Sequence, residues 1–274
     1  MNVNQAHKES PMKTKLRLLE LRLPITWLIF LLNLENRVRK TKTHISWSSS
    51  EKIFLAEDEE FRLFFTRPER VLLYAHGLTA RLENLASIYH LQCLSSLPNP
   101  FLLDCGANVG EVSLYVGSRY QAEIIAVEPE LAEFICLKRN LAHLKATCIN
   151  KLLWNKSTQI SMYSKPDTAD TSAIFFGANA TEIVMQTTTV DELFSEVAKD
   201  KSIILKIEAE GAEPEVLGGA PATIARAKMI VIDGGPERGI ARERTEPAND
   251  LIIEEIGNFS KVDSSNRAQL YLNK

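Results

Sequence analysis

The sequence predicts an α/β protein: a mainly parallel, seven-stranded sheet with helices on both faces and an antiparallel strand pair at its C-terminal end. Three observations predict it. From residue 101 onward, short apolar runs alternate with helical stretches, the signature of βαβ units. Phe101-Leu102-Leu103-Asp104-Cys105-Gly106-Ala107-Asn108-Val109-Gly110-Glu111 reads as a buried strand, a glycine-spaced turn and a helix start. Ala122-Glu123-Ile124-Ile125-Ala126-Val127-Glu128-Pro129 then reads as a second strand ending in a carboxylate, 22 residues after Gly106.

Within this region the strands fall at 101–105, 123–127, 146–150, 202–207 and 228–233, with helices at 110–120, 130–143, 190–199 and 213–226. Ser, Thr and Lys alternate with apolar residues over 152–188, which predicts a meander of short strands. Thr189 with Glu192 three residues later predicts a capping box. A helix over 250–257 precedes an antiparallel pair, 259–263 with 269–272, closed by Ser264-Ser265-Asn266. Upstream, Ile53–Leu55 and Phe61–Phe65 flank the acidic turn Glu57-Asp58-Glu59-Glu60 and suggest a hairpin. Helices at Arg67–Ala75 and Arg81–Leu94 follow, separated by Gly77 and stopped by Pro98 and Pro100. The composition gives three parts: a basic extension (1–50), an N-terminal subdomain (51–98) and the α/β core (99–274).

The chain is 45% apolar and 24% charged, ordinary for a globular protein. Its net charge of −3 gives no reason to expect a nucleic-acid partner. The charge is uneven: residues 1–52 hold ten Lys/Arg against four Asp/Glu, a balance of +6 that leaves −9 elsewhere. Cys93, Cys105, Cys136 and Cys148 show no C-x-x-C spacing and the five histidines are scattered, so buried thiols in a reducing, cytoplasmic compartment are expected, with no metal site. The most apolar run, Leu23–Leu34, is about half the ~20 residues of a spanning helix. It is followed by Glu35-Asn36-Arg37 where a signal peptide would have small residues. Two readings stay open for residues 13–42: a helix packed on the domain or on a partner subunit, or an interfacial helix with basic flanks at an anionic membrane surface. The oligomeric state is not legible.

The chemistry rests on two constellations. The turn has Gly106-x-x-x-Gly110 with Asn108 between, not the G-x-G-x-x-G of a dinucleotide fold. Asp104 before the first glycine would repel a pyrophosphate and suits a cationic group. Glu128 stands where an acid holds ribose hydroxyls. A cofactor with a ribose, an adenine and a positively charged amino-acid tail is S-adenosylmethionine. Trp154 and Asn155 follow the third strand, where an adenine is stacked and its amine bonded; ordinary core packing of Trp154 fits equally. In the second constellation, Lys206, Glu208 and Glu210 alternate with Ile207 and Ala209, giving one charged face at a strand end. Such a set supplies a general base, or else a structural ion pair that caps the helix beginning near Ala212.

Five segments in order resemble the FkbM-family methyltransferases: Asp-Cys-Gly-Ala-Asn-Val-Gly (104–110), Val-Glu-Pro (127–129), Thr-Thr-Val-Asp-Glu-Leu (188–193), Leu-Lys-Ile-Glu-Ala-Glu-Gly-Ala-Glu (205–213) and Val-Leu-Gly-Gly-Ala (216–220). The resemblance spans about 100–235. It implies a Rossmann-like class I methyltransferase fold that moves a methyl group from S-adenosylmethionine, usually to a hydroxyl of a sugar, glycan, polyketide or similar small molecule. Asp104, Gly106, Asn108 and Gly110 match the family's cofactor loop, and Glu128 its ribose-binding acid. Lys206, Glu210 and Gly211 match its Lys-x-Asp-x-Glu-Gly segment, with Glu208 in place of the Asp. Two alternatives stand beside this: an inactive member that binds a glycan or sits at a membrane, and a nicotinamide-dependent oxidoreductase.

Overall fold

The computed structural model describes residues 24–164, 171–174, 181–263 and 267–274. The chain separates into two compact units, Met1–Arg81 and Leu82–Lys274.

In the first unit, helix α1 (Ile25–Arg39) leads into a three-stranded antiparallel sheet of β1 (His44–Ser48), β2 (Ile53–Glu57) and β3 (Arg62–Phe65). The expected hairpin is β2–β3, with Phe54 opposite Phe65 and Glu57 opposite Arg62. β1 lies inside the basic extension (1–50), where the sequence pattern predicts no strand; alternate residues Ile45 and Trp47 pair with Ala56 and Phe54 of β2. Phe54 and Phe65 stack at 5.1 Å and Tyr74 packs on Phe65 at 5.0 Å. The segment expected as a helix over 67–75 is a 3-10 turn, Pro68–Tyr74.

Helix α2 spans Leu78–Ile88. It stops short of Leu94 because His90 takes a left-handed φ of 54°, and a separate 3-10 turn, Leu91–Ser96, follows.

The second unit is the α/β body. Its elements are β4 (Pro100–Cys105), α3 (Glu111–Tyr120), β5 (Glu123–Val127), α4 (Leu131–Leu141), β6 (Ala146–Ile149), β7 (Leu152–Leu153), β8 (Gln159–Ser164), β9 (Thr171–Ser172), β10 (Thr181–Thr188), α5 (Val190–Phe194), β11 (Ser202–Ile207), α6 (Glu213–Gly218), α7 (Pro221–Arg226), β12 (Ala227–Ile232), β13 (Pro236–Arg238), β14 (Glu243–Arg244), α8 (Glu246–Ile256), β15 (Phe259–Asp263) and β16 (Gln269–Asn273). The main sheet has seven strands in the order β15-β16-β12-β11-β4-β5-β6. β12 to β6 are parallel, and β16 and β15 add antiparallel, as the sequence predicts. The chain goes from β4 outward to β6, then returns to β11 on the other side of β4. That reversal makes β4/β11 the switch point, outside whose carboxyl ends α/β sheets bind ligands.

β11 is buried along its whole length, and Lys206 within it is 2% exposed. The meander of 152–188 is β7-β10-β8-β9, with the Thr189–Glu192 capping box formed at its end. Two helices are shorter than their patterns suggest. α5 ends at Phe194, and beyond it the Val197 and Ala198 carbonyls accept from the Arg226 guanidinium at 2.9 and 3.1 Å. The helix expected over 213–226 is split into α6 and α7 because Gly219 lies against the Trp154 backbone; a Cβ there would stand 2.3 Å from the Trp154 carbonyl oxygen.

Candidate active site

The crevice at the carboxyl edge is bounded by the exits of β4, β5, β11 and β12. The β4 exit turns through Gly106, with φ +75°, and a Cβ there would stand 1.8 Å from the Glu208 carbonyl oxygen. Glycine is required because the β11 exit packs against this turn, and not only for approach to a ligand. Gly110 takes φ +88°, the left-handed region that favours glycine, with the Leu137 Cδ1 of α4 lying 2.7 Å from the would-be Cβ. Asn108 sits between them in the left-handed region, φ 51°, and its Oδ1 accepts from Val109 N–H at 2.9 Å.

Glu128 joins two loops. One carboxylate oxygen accepts from Asn108 N–H and the other from Glu130 N–H, both at 2.8 Å. Asn150 donates to the Glu128 and Pro129 carbonyls, both at 2.8 Å, and so fixes this turn. Burial pushes the Glu128 carboxyl up to about 7 against the pull of its two N–H donors.

The other half of the crevice is an ionic cluster. Asp104 is fully buried; it lies 2.9 Å from Lys206 Nζ and accepts from Ser113 Oγ at 2.7 Å. One cation beside Asp104 is therefore supplied by the protein itself. Lys206 also donates to the Gly106 carbonyl at 2.9 Å and lies 3.3 Å from Glu208. Burial opposes its charge, but Asp104 and Glu208 override it and hold the ammonium above the ordinary lysine value. Lys206 stays protonated and is not a base. Tyr89 O–H donates to Glu208 Oε2 at 2.7 Å, and Arg267 donates to Oε1 at 3.1 Å. Burial raises the Glu208 carboxyl, yet Lys206, Arg267 and the Tyr89 hydroxyl together hold it below the usual carboxylate value. Arg267 also pairs with Asp233, the residue after β12. Its guanidinium is 4.0 Å from Glu237 Oε1, while Glu237 Oε2 is buried and accepts no hydrogen bond among the described residues. Burial and the Asp233 charge push Glu237 up to about 7, against Arg267.

Six of the candidates read from the sequence, Asp104, Gly106, Asn108, Gly110, Lys206 and Glu208, are tied together through Gly106 and Lys206 or through adjoining backbone, and Glu128 joins them through Asn108. Glu210 lies in the turn after β11 with φ 49°, where its carbonyl accepts from Ser172 Oγ at 2.7 Å. Asn155 is exposed after β7, its Cβ against Gly218 of α6, and no hydrogen bond among the described residues links it to Glu128. Glu213 is structural: it accepts from Ala209 and Gly211 N–H at 2.9 and 3.1 Å and from Thr245 at 2.8 Å. Tyr89, Asn150, Glu237 and Arg267 were not singled out by sequence. Only Glu237 carried a signal, within the polar, glycine-rich exit Asp233–Gly239.

The residues fit S-adenosylmethionine on two counts. Each Glu128 oxygen takes only one N–H, leaving a lone pair on each for a vicinal diol, and its raised carboxyl marks a charge the protein itself does not fully compensate. Four carboxylates (Asp104, Glu208, Asp233, Glu237) surround two cations (Lys206, Arg267), an excess of negative charge that suits a cationic sulfur and an ammonium.

Comparison with known proteins agrees. The methyltransferase FkbM domain matches residues 104–260, more than half of the chain. Methyltransferase sdnD of Sordaria araneosa is 47% identical over 55 residues, a segment covering 19% of this chain and 21% of that protein. Among solved structures, the N-terminal domain of human METTL16 has a TM-score of 0.43 at 11% identity, covering 100% of this chain and 97% of that one. TYW2 of M. jannaschii in complex with AdoMet has a TM-score of 0.38 at 11% identity, covering 84% and 90%. With structural likenesses this distant, it is the domain match that decides. The chain belongs to the FkbM family of methyltransferases, whose methyl donor is S-adenosylmethionine.

Proposed function

We propose that the protein methylates a hydroxyl oxygen on a sugar, glycan or other small-molecule acceptor. When bound, S-adenosylmethionine supplies a methyl group already activated on a cationic sulfur. Glu128 holds the ribose diol, and the loop from Asp104 to Gly110 lines the donor side. Lys206 and Glu208 act as positioning residues: their mutual pairing fixes the β4 and β11 exits and leaves neither free to exchange a proton. Aligning the acceptor oxygen and excluding water are then the main tasks.

A hydroxyl that gains a methyl group must lose its proton. In this reading Glu237 takes it. The observation that carries the assignment is the buried, unbonded Glu237 Oε2 beside an ionic cluster rich in negative charge. A carboxyl pushed up to about 7 is a far better proton acceptor near neutrality than Glu208, which is held down. The test is release of S-adenosylhomocysteine with a panel of monosaccharides, oligosaccharides and polyketide alcohols. The expected product is a methyl ether; a methyl group recovered on nitrogen or carbon overturns the proposal. Donor binding without release on any acceptor would favour an inactive, glycan-binding member instead.

A further inference from the structure

Helix α1 is apolar on two opposite faces. Leu28 and Leu32 are buried on one, at 3% and 2% exposure. Trp27, Phe30, Leu31, Leu34 and Val38 are exposed on the other, between 40% and 75%. Their spacing of three, four and seven residues sets all five within roughly a third of the helix circumference. These five are the largest concentration among the thirteen exposed large apolar side chains of the described residues. The orientation is locked, because Asn33 donates to the Ile45 carbonyl at 2.8 Å and accepts Ile45 N–H at 2.7 Å. This clamp to β1 keeps the second stripe turned outward from its own unit.

We infer that this stripe docks on an anionic lipid surface, with the helix lying in the interface plane. Charge selects the occupant. The +6 of residues 1–52 would set like against like where two copies met through this helix, whereas it complements anionic headgroups. Arg37 and Lys40, at the end of the helix, form no side-chain ion pair among the described residues and so remain free for phosphates. Trp27 and Phe30, edge to face at 6.3 Å, are the side chains an interface favours. Among the described residues no helix is long and apolar enough to cross a membrane: α1 has 15 residues, about 22 Å against a core of about 30 Å. It suits lying on the surface, not spanning it.

The experiment is co-sedimentation of the full chain with vesicles of phosphatidylcholine alone and with about a quarter phosphatidylserine. Binding to the anionic vesicles and not the neutral ones is expected, with a blue shift in tryptophan emission. The triple variant Trp27→Ser/Phe30→Ser/Leu34→Ser, all exposed positions, should weaken binding at least about tenfold, and Arg37→Glu/Lys40→Glu similarly. Calorimetry with S-adenosylmethionine, run on every variant, should be unchanged and shows that each is folded. Wild-type protein left in the supernatant of both vesicle types overturns the inference. So does a dimer, seen by light scattering, that the triple variant abolishes without any lipid binding in the wild type. Neither result bears on the methyltransferase assignment.

Discussion

Glu128 and Glu237 are both buried enough for their carboxyls to be pushed up to about 7, yet they are held in different ways. Glu128 is fixed by backbone: Asn108 and Glu130 N–H bond its oxygens, and Asn150 pins the carbonyls around it. Glu237 instead borders a network of side chains: its Oε1 lies 4.0 Å from Arg267, which pairs with Asp233 and Glu208, and Glu208 in turn meets Tyr89 and Lys206. A site made of backbone donors tolerates changes one residue at a time. A network of buried charges is coupled, so removing one member strands the others.

The largest expected effect breaks the network. Lys206→Met leaves Asp104 and Glu208 short of their buried cation and should cost about 3–5 kcal/mol of stability, read by urea unfolding. A loss under about 1 kcal/mol would show that the two halves do not differ in this way. Next, Glu237→Gln should lower kcat by about 100-fold with little change in donor affinity. The wild-type rate should rise with pH through about 7, as Glu237 ionises, and the variant should lose that limb. Third, Glu128→Ala should weaken donor binding by about 1.5–3 kcal/mol, the range for hydrogen bonds to a charged group, with kcat at saturating donor less affected. Smallest, Tyr89→Phe removes one of the donors to Glu208 and should cost about 1 kcal/mol, because Lys206 and Arg267 remain.

The same contrast explains what the sequence made legible. The sheet strands, the Asp104–Gly110 turn and the acid at Glu128 lie within short contiguous segments, where periodicity and glycine placement carry the signal. The parallel strands fall within a residue or so of their patterns. Helix ends were less legible, since the break at Gly219 is dictated by the backbone of the distant Trp154. The ionic cluster was legible only in part. Lys206 and Glu208 stood out as charges at a strand end, but their partners Tyr89 and Arg267 lie 119 and 59 residues from Glu208. Both fall outside the matched domain, residues 104–260. Asp104 was legible as an acid facing positive charge; that Lys206, from another strand, lies against it was not.

In the proposed function Glu128, poorly compensated until donor is bound, holds the ribose of S-adenosylmethionine. Its folded value of about 7 lies above the ordinary 4.5, so between these the folded protein binds more protons than the unfolded chain, and stability falls as pH rises through that window. Binding of the diol favours the ionised form and reverses that loss. The most direct measurement is the Kd of S-adenosylmethionine by calorimetry from about pH 5 to about pH 8, for wild type and Glu128→Ala. Wild-type affinity should rise with pH and level off above about 7, while the variant binds weakly with that dependence gone. Equal affinities in the two proteins at every pH would contradict the assignment.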